Sequence, residues 1–219
     1  MEINPIAYYS TSLKTKFGVP RQSGVIPELE GKIVFSSPFN DSDYFRGIEG
    51  YDYLWIIWGF SYNKQQKSRK TVRPPLLGGN RRVGVFATRS PYRPTPLGLS
   101  SVKIKNIEKK DDKIIIHILG GDMCDGTPIY DIKPYLEYTD SHKNIRNGFT
   151  DEQEWTMLKV SFSESAESLY SDEEKTLIKK ILEQDPRPHY QNDAERIYGI
   201  RLEEMDVHFK VKDNDCIVL

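Results

Sequence analysis

The sequence predicts a mainly β fold: a barrel or sandwich over residues 1–145, followed by a small α+β unit over residues 146–219. Three observations predict it. Short runs rich in β-branched and aromatic residues recur through the first two-thirds, divided by clusters of Gly, Pro, Asn and Asp. No helical periodicity intervenes between them, which sets aside a parallel α/β sheet. The composition then shifts near residue 140, where Asp140-Ser141-His142-Lys143-Asn144 reads as a polar linker.

In chain order, strands are expected at Pro5 to Tyr9, Lys32 to Phe35, Tyr53 to Tyr62, Val83 to Thr88, Ser100 to Ile107 and Lys113 to Leu119. One or two helical turns fit Ser42 to Ile48, ahead of Gly50. Lys110-Asp111-Asp112-Lys113 has the composition of a hairpin turn, and Lys64 to Asn80 that of a long basic loop. Beyond the linker, Glu154 to Phe162 reads as a strand. A helix follows it: Ser171 is a good N-cap, Glu174 completes a capping box, and Leu177, Ile178, Ile181 and Leu182 form one apolar stripe. Pro186 and Pro188 stop it, and Ile197 to Leu202 with Val207 to Val211 reads as a hairpin. At about 75 residues this unit is too small for a large core of its own, so it is expected to pack on the first domain or on a partner subunit.

Composition excludes several functions. With 37% hydrophobic and 29% charged residues the chain is globular rather than disordered. Its longest apolar run, Leu54 to Trp58, falls far short of the roughly 20 residues that cross a bilayer, so no membrane partner is expected. The N-terminus has no basic region ahead of an apolar stretch, and Cys124 and Cys216 match neither a metal nor a redox spacing; a reducing cytoplasmic location is expected. His117, His142, His189 and His208 stand apart, so no metal site is expected. There is no GxGxxG and no GxxxxGK[ST], and neither Ser90 nor Ser100 has a histidine base nearby.

The charge distribution points the other way, toward a function. The net charge is −1, yet the 55 positions between Asp52 and Glu108 hold no acidic residue and 11 basic ones. Such segregation is the footprint of a polyanion-binding surface, with phosphate as the obvious ligand. Three further segments are dense in residues that cores do not favour. Lys16 to Gln22 presents a cation and an amide on a proline-stiffened loop. Gly84 to Ser100 carries Arg89, Tyr92 and Arg93 on backbone fixed by Pro91, Pro94 and Pro96, a preorganised surface for a planar or anionic ligand. Asp125 to Tyr135 is the third; taken alone, each of the three also fits a tight β connection.

These segments resemble a known family. Pro20-Arg21-Gln22, the run from Thr71 to Asn80 into Gly84 to Ser90, Asp125-Gly126-Thr127-Pro128 and Asp131 to Leu136 are similar to the TsaA-like family, which includes the TrmO tRNA methyltransferases. Asp185 to Pro188 and Tyr198 to Leu202 resemble that family's C-terminal domain, so the likeness spans nearly the whole chain. The resemblance implies a β-barrel methyltransferase that uses S-adenosylmethionine and methylates N6 of N6-threonylcarbamoyladenosine, just 3′ of the anticodon. It also implies a homodimer with the cofactor near the subunit boundary. Carried over by position, cofactor contacts fall on Pro20, Arg21, Gln22, Ser61, Tyr62, Arg89, Leu99, Asp131, Ile132, Lys133 and Pro134, although many relatives have histidine where Ser61 stands.

The chemistry suggests further roles. Methyl transfer depends above all on positioning. Asp131 can accept the N6 hydrogen or hold the cofactor's amino group, Arg93 or Arg89 can clamp the threonyl carboxylate, and Tyr92, Tyr62 or Tyr135 can stack on the base. The expected catalytic set is Asp131, Arg93 and Tyr92; Lys64, Lys67, Arg69, Lys70, Arg73, Arg81 and Arg82 are expected to bind the tRNA anticodon stem-loop. Two other readings remain: a non-catalytic RNA-binding barrel, and a methyltransferase for a small phosphorylated substrate.

Overall fold

The computed structural model describes residues 2–63, 67–152, 156–187, 193–202 and 204–219. Lys64, Glu154, Pro188 and His189 lie outside the described residues.

The first eight strands are β1 (Ala7–Ser10), β2 (Glu30–Phe35), β3 (Tyr53–Gly59), β4 (Thr71–Val72), β5 (Val83–Gly84), β6 (Leu97–Lys110), β7 (Lys113–Leu119) and β8 (Pro128–Pro134). Six of them close an antiparallel barrel in the order β1-β2-β7-β6-β3-β8, with β8 pairing back onto β1. Period-two alternation explains the closure. Leu54, Ile56 and Trp58 of β3 and Ile114, Ile116 and Ile118 of β7 point inward and are buried, and each such side chain contributes about 1.5–3 kcal/mol. The β6–β7 turn uses Asp111 at φ 48° and Asp112 at φ 54°, the left-handed pair of a two-residue hairpin.

The structure corrects the expected strands at three places. Pro128–Pro134 is a barrel strand, not a connection: its two prolines stand at its ends, where a missing N–H breaks no inner ladder bond. Val83 to Thr88 is strand only at Val83–Gly84, and Val85–Ala87 forms a single 3-10 turn. The basic segment is not all loop, because β4 pairs with β5 as a short ribbon across Thr71↔Gly84 and Val72↔Val83.

The rest of the chain forms α1 (Glu137–Asp140), β9 (Lys159–Phe162), α2 (Glu164–Leu169), α3 (Asp172–Glu183), β10 (Tyr198–Leu202), β11 (Met205–Lys212) and β12 (Asp215–Val218). The capping box forms: Ser171 Oγ accepts from the Glu174 N–H, and Glu174 Oε2 accepts from the Ser171 N–H. The sheet runs β10-β11-β12-β9, antiparallel except for the β12–β9 pair. Sequence reasoning missed β12, and it also missed what covers this sheet. Leu13, Ile26 and Leu29 from the β1–β2 connection are buried in the same core as Ile178, Ile181, Val207 and Phe209, and Phe17 stacks on Phe209 at 6.3 Å. The β1–β2 connection therefore belongs structurally to the second core.

Candidate active site

The expected residues fall into two groups, on either side of the start of β6. The first group lies by the β1–β2 connection. Gln22 Oε1 accepts a hydrogen bond from Arg89 Nη1, which joins the Pro20-Arg21-Gln22 loop to the proline-rich loop. Arg21 Nη2 donates to the Asp185 carbonyl at 2.8 Å, while burial pulls its guanidinium below the ordinary arginine value and Asp185 opposes that shift. Pro20, the first residue of that loop, is buried.

A residue that sequence reasoning passed over, Asp122, sits at the centre of this group. Its Oδ1 accepts from Ser100 Oγ at 2.5 Å, and Ser100 Oγ in turn accepts from Trp58 Nε1 at 2.8 Å. Burial raises the Asp122 carboxyl above the usual range, against the Ser100 hydroxyl, backbone N–H bonds that include Ser23's, and the charge of Arg89. A carboxylate kept in so unfavourable a place, one residue from Gln22 through the Ser23 N–H, shapes the loop. Its only local signal was an acidic residue directly after Gly120-Gly121 at a strand end.

The second group is on the outer barrel wall. Ser100 points inward, so its neighbour Leu99 points out and is 55% exposed. Leu99 pairs with Ile57 and Ile57 with Asp131, giving one outward row across β6, β3 and β8. In the next row Ser101, Trp55 and Lys133 align, and Lys133 Nζ lies 2.7 Å from Asp131 Oδ2. Ile132 alternates with them and turns inward onto the barrel core, and Pro134 ends the strand exposed. Tyr135 packs tilted against Trp55 at 5.4 Å.

Ser61 and Tyr62 occupy a 3-10 turn after β3. The Tyr62 hydroxyl lies 3.3 Å from the carbonyls of Lys14 and Asp125, tying this turn to the Asp125-Gly126-Thr127-Pro128 segment. Ser61 Oγ is buried with no hydrogen-bond partner among the described residues. Such an orphaned donor costs stability unless a ligand satisfies it.

The basic segment is braced against the proline-rich loop. The Arg69 N–H donates to the Tyr92 carbonyl at 2.8 Å, the Arg69 guanidinium lies 4.8 Å from the Tyr92 ring centroid, and the Val85 N–H donates to the Lys70 carbonyl. Arg93 Nη1 donates to the Thr88 carbonyl at 3.1 Å, using one of its five donors to hold the loop. Lys67, Arg69, Lys70, Arg73, Arg81 and Arg82 are exposed; Arg81 pairs with Glu152 at 2.5 Å, and Arg82 donates to Thr71 Oγ1 at 3.1 Å. Among the described residues no group of His, Cys, Asp or Glu is arranged to hold a metal ion, and no helix is long and apolar enough to cross a membrane.

Comparison with known proteins assigns the family. The profile of the tRNA-methyltransferase O N-terminal domain matches residues 8–141, and that of the TrmO C-terminal domain matches residues 156–219. A curated tRNA (adenine(37)-N6)-methyltransferase of Escherichia coli is 36% identical over 97% of this chain and 94% of its own length. A putative S-adenosylmethionine-dependent methyltransferase of Pseudomonas aeruginosa, RcsF, is 36% identical over 98% of this chain and 94% of its own. The crystal structure of TrmO from Pseudomonas aeruginosa superposes with a TM-score of 0.76 at 28% identity, covering 100% of this chain and 97% of that one. With both domain profiles and a near full-length relative in agreement, the chain belongs to the tRNA-methyltransferase O family.

Proposed function

We propose that this protein is an S-adenosylmethionine-dependent tRNA methyltransferase that acts in the cytoplasm, as a homodimer, on N6 of the N6-threonylcarbamoyladenosine beside the anticodon. The observation that carries this reading is the Gln22–Arg89 contact. It links the Pro20-Arg21-Gln22 loop to the loop that holds Tyr92 and Arg93, and through Arg69 on Tyr92 to the basic ribbon. Part of the expected cofactor set, Gln22 and Arg89, is thus joined to part of the expected RNA set.

The chain's residues suit the cofactor. Ser61 Oγ is a buried polar atom with no hydrogen-bond partner among the described residues, Asp131 offers a carboxylate to an amino group, and Arg21, Gln22 and Arg89 offer donors to a carboxylate. Leu99 and Ile57 supply an apolar wall. When bound, S-adenosylmethionine supplies a methyl group activated on a sulfonium. The two groups of residues are expected to complete one pocket across the subunit boundary, Leu99 and Asp131 facing the partner's loop.

The other roles belong to the base. Tyr92 has one face against Arg69, and its other face is assigned to the adenine, a stack worth about 1–3 kcal/mol. Arg93 keeps the remainder of its guanidinium for the threonyl carboxylate. Asp131, steadied by Lys133, accepts a hydrogen from N6 or from the cofactor's amino group. A base in an anticodon loop is already unpaired, so presenting it costs less than flipping it from a duplex.

The decisive measurement is mass spectrometry of tRNA nucleosides from cells with and without the gene. The methylated form of threonylcarbamoyladenosine should vanish from the deletion strain and return on complementation; its persistence refutes the assignment. In vitro, Arg93→Ala should impair methylation of threonylcarbamoylated tRNA far more than binding of the same tRNA without that group. Equal losses would make Arg93 a phosphate contact.

A further inference from the structure

The second core reaches the Arg21 loop through a strained backbone. Helix α3 ends at Glu183, and Asp185 follows with φ 44°, in the left-handed region that glycine or asparagine usually fills after a helix. Pro186 comes next, and a residue before proline is normally extended. Local sequence preferences thus work against this conformation, and persistent backbone strain marks places where the surrounding structure imposes it for a purpose.

Arg187 imposes it. Its Nε and Nη2 donate to the two carboxylate oxygens of Asp185 at 2.8 and 2.9 Å, and its backbone N–H donates to Oδ1 at 3.3 Å. The guanidinium is 8% exposed, and its third nitrogen, Nη1, is buried without a partner among the described residues. A buried ion pair whose third nitrogen lacks a hydrogen-bond partner among the described residues is a poor way to stabilise a core that apolar side chains would fill better. What the pair does achieve is to fix the Asp185 carbonyl, the acceptor for Arg21 Nη2 at 2.8 Å across 164 residues of sequence. Apolar contacts hold the stretch just before Arg21 on the second core: Phe17 stacks on Phe209 of β11, and Gly18 lies beside Ile200 of β10 and Ile181 of α3.

We propose that Asp185 and Arg187 are positioning residues for cofactor binding: the bidentate pair locks a strained carbonyl that aims Arg21, so part of the affinity for S-adenosylmethionine is set from the C-terminal unit. The inference rests on the reading of Arg21 as a cofactor contact. Neither residue touches the cofactor itself; both act through Arg21.

The test is a double-mutant cycle read by calorimetric titration with S-adenosylmethionine on the full-length protein: wild type, Arg187→Lys, Arg21→Ala and the double variant. Lysine keeps the charge but cannot make the two-pronged contact. Arg187→Lys should weaken binding about 10-fold, the scale of one charge-assisted hydrogen bond, and should add almost nothing in the Arg21→Ala background, where no guanidinium is left to aim. In steady-state kinetics, KM for S-adenosylmethionine should rise by the same factor while kcat and KM for tRNA stay within about twofold. Equal losses in both backgrounds would overturn the positioning role while leaving Arg21 a cofactor contact. An Arg21→Ala protein that binds like wild type would overturn that contact and the positioning role together. Should Arg187→Lys melt too low to titrate, Asp185→Gly takes its place in the same cycle, since glycine accepts the left-handed backbone and lacks only the carboxylate.

Discussion

Replacing Gly98 with alanine tests the packing that the candidate site stands on. A β carbon at Gly98 would lie 2.2 Å from Cε2 and 2.4 Å from Cζ2 of Trp58. Carbon atoms sit comfortably at about 3.5–4.0 Å, so the indole or the β6 backbone would have to move by more than about 1 Å. Trp58 has little room to do so. It is 7% exposed, its ring meets Phe60 edge-on at 4.4 Å, and its Nε1 is tied through Ser100 to Asp122. Overpacking of this kind costs about 1–3 kcal/mol. Losing the Trp58–Ser100 hydrogen bond adds about 1 kcal/mol, for a total of about 2–4 kcal/mol. In a chain of this length each kcal/mol lowers Tm by about 2–4 °C, so a fall of about 4–16 °C is expected by differential scanning fluorimetry. Gly84→Ala is the matched control: its φ is −58° and no heavy atom lies within 4 Å of the added carbon. It should melt within about 2 °C of wild type or slightly above it. If Gly98→Ala melted with Gly84→Ala, the Trp58–Ser100–Asp122 chain would not be holding the indole in place.

Three other outcomes follow from single features. Burial raises the Asp122 carboxyl in the folded protein, so the fold binds a proton there that the unfolded chain has already released; the resulting stability is complete below the unfolded value and is lost as pH rises through the folded one. Asp122→Asn removes that loss, so its Tm should gain on wild type as pH rises above the ordinary carboxyl range, and parallel melting curves would contradict the buried carboxylate. Replacing Lys67, Lys70 and Arg73 together by Gln should reduce the slope of log K against log salt for an anticodon stem-loop by about 2–3, with Arg69 left intact because it braces Tyr92; an unchanged slope would exclude these residues from phosphate contact. Burial pushes the thiols of Cys124 and Cys216 up to about 11 and about 12, so a thiol-specific dye at pH 8 should label the native protein slowly and both cysteines promptly once guanidinium is added.

What the sequence revealed was what local pattern controls. The alternation in β3 and β7, the Asp111-Asp112 turn and the Ser171–Glu174 capping box are fixed by residues within a few positions of one another, and each was legible. Strand β8 was not, because Pro128 and Pro134 read as breakers until the register shows them opposite Tyr8 and Leu54 at the strand's ends. Leu13, Ile26 and Leu29 carry no mark of the distant sheet they cover. The same limit applied at the site. Arg21, Gln22, Arg89 and Asp131 are proposed as site residues from motif resemblance, and the basic stretch from its missing acids. Asp122 matters only through Ser100, Ser23 and Arg89, partners that sequence separates by tens of residues. The Arg21–Asp185 bond joins residues 164 positions apart, and no local pattern at either end announces it.

The arrangement of the basic segment explains why its charge is not simply a loose polyanion trap. A mobile loop of lysines would gain affinity for any nucleic acid and give it no register. Here the charge is attached to geometry. Thr71–Val72 pairs with Val83–Gly84, the Lys70 carbonyl accepts from the Val85 N–H, and Arg69 is bound to Tyr92 by both its backbone and its guanidinium. In the proposed function, phosphates held by Lys67, Lys70 and Arg73 would lie at a set distance from the Tyr92 ring and from Arg93, whose own guanidinium is anchored on Thr88. Thr88 and Arg89 in turn lead directly to Gln22. In the proposed function the proline-rich loop, which adjoins the Pro20-Arg21-Gln22 loop, would serve both as the floor for a base and as the clamp for an anion, so capture of the RNA backbone would also fix where its unpaired base arrives.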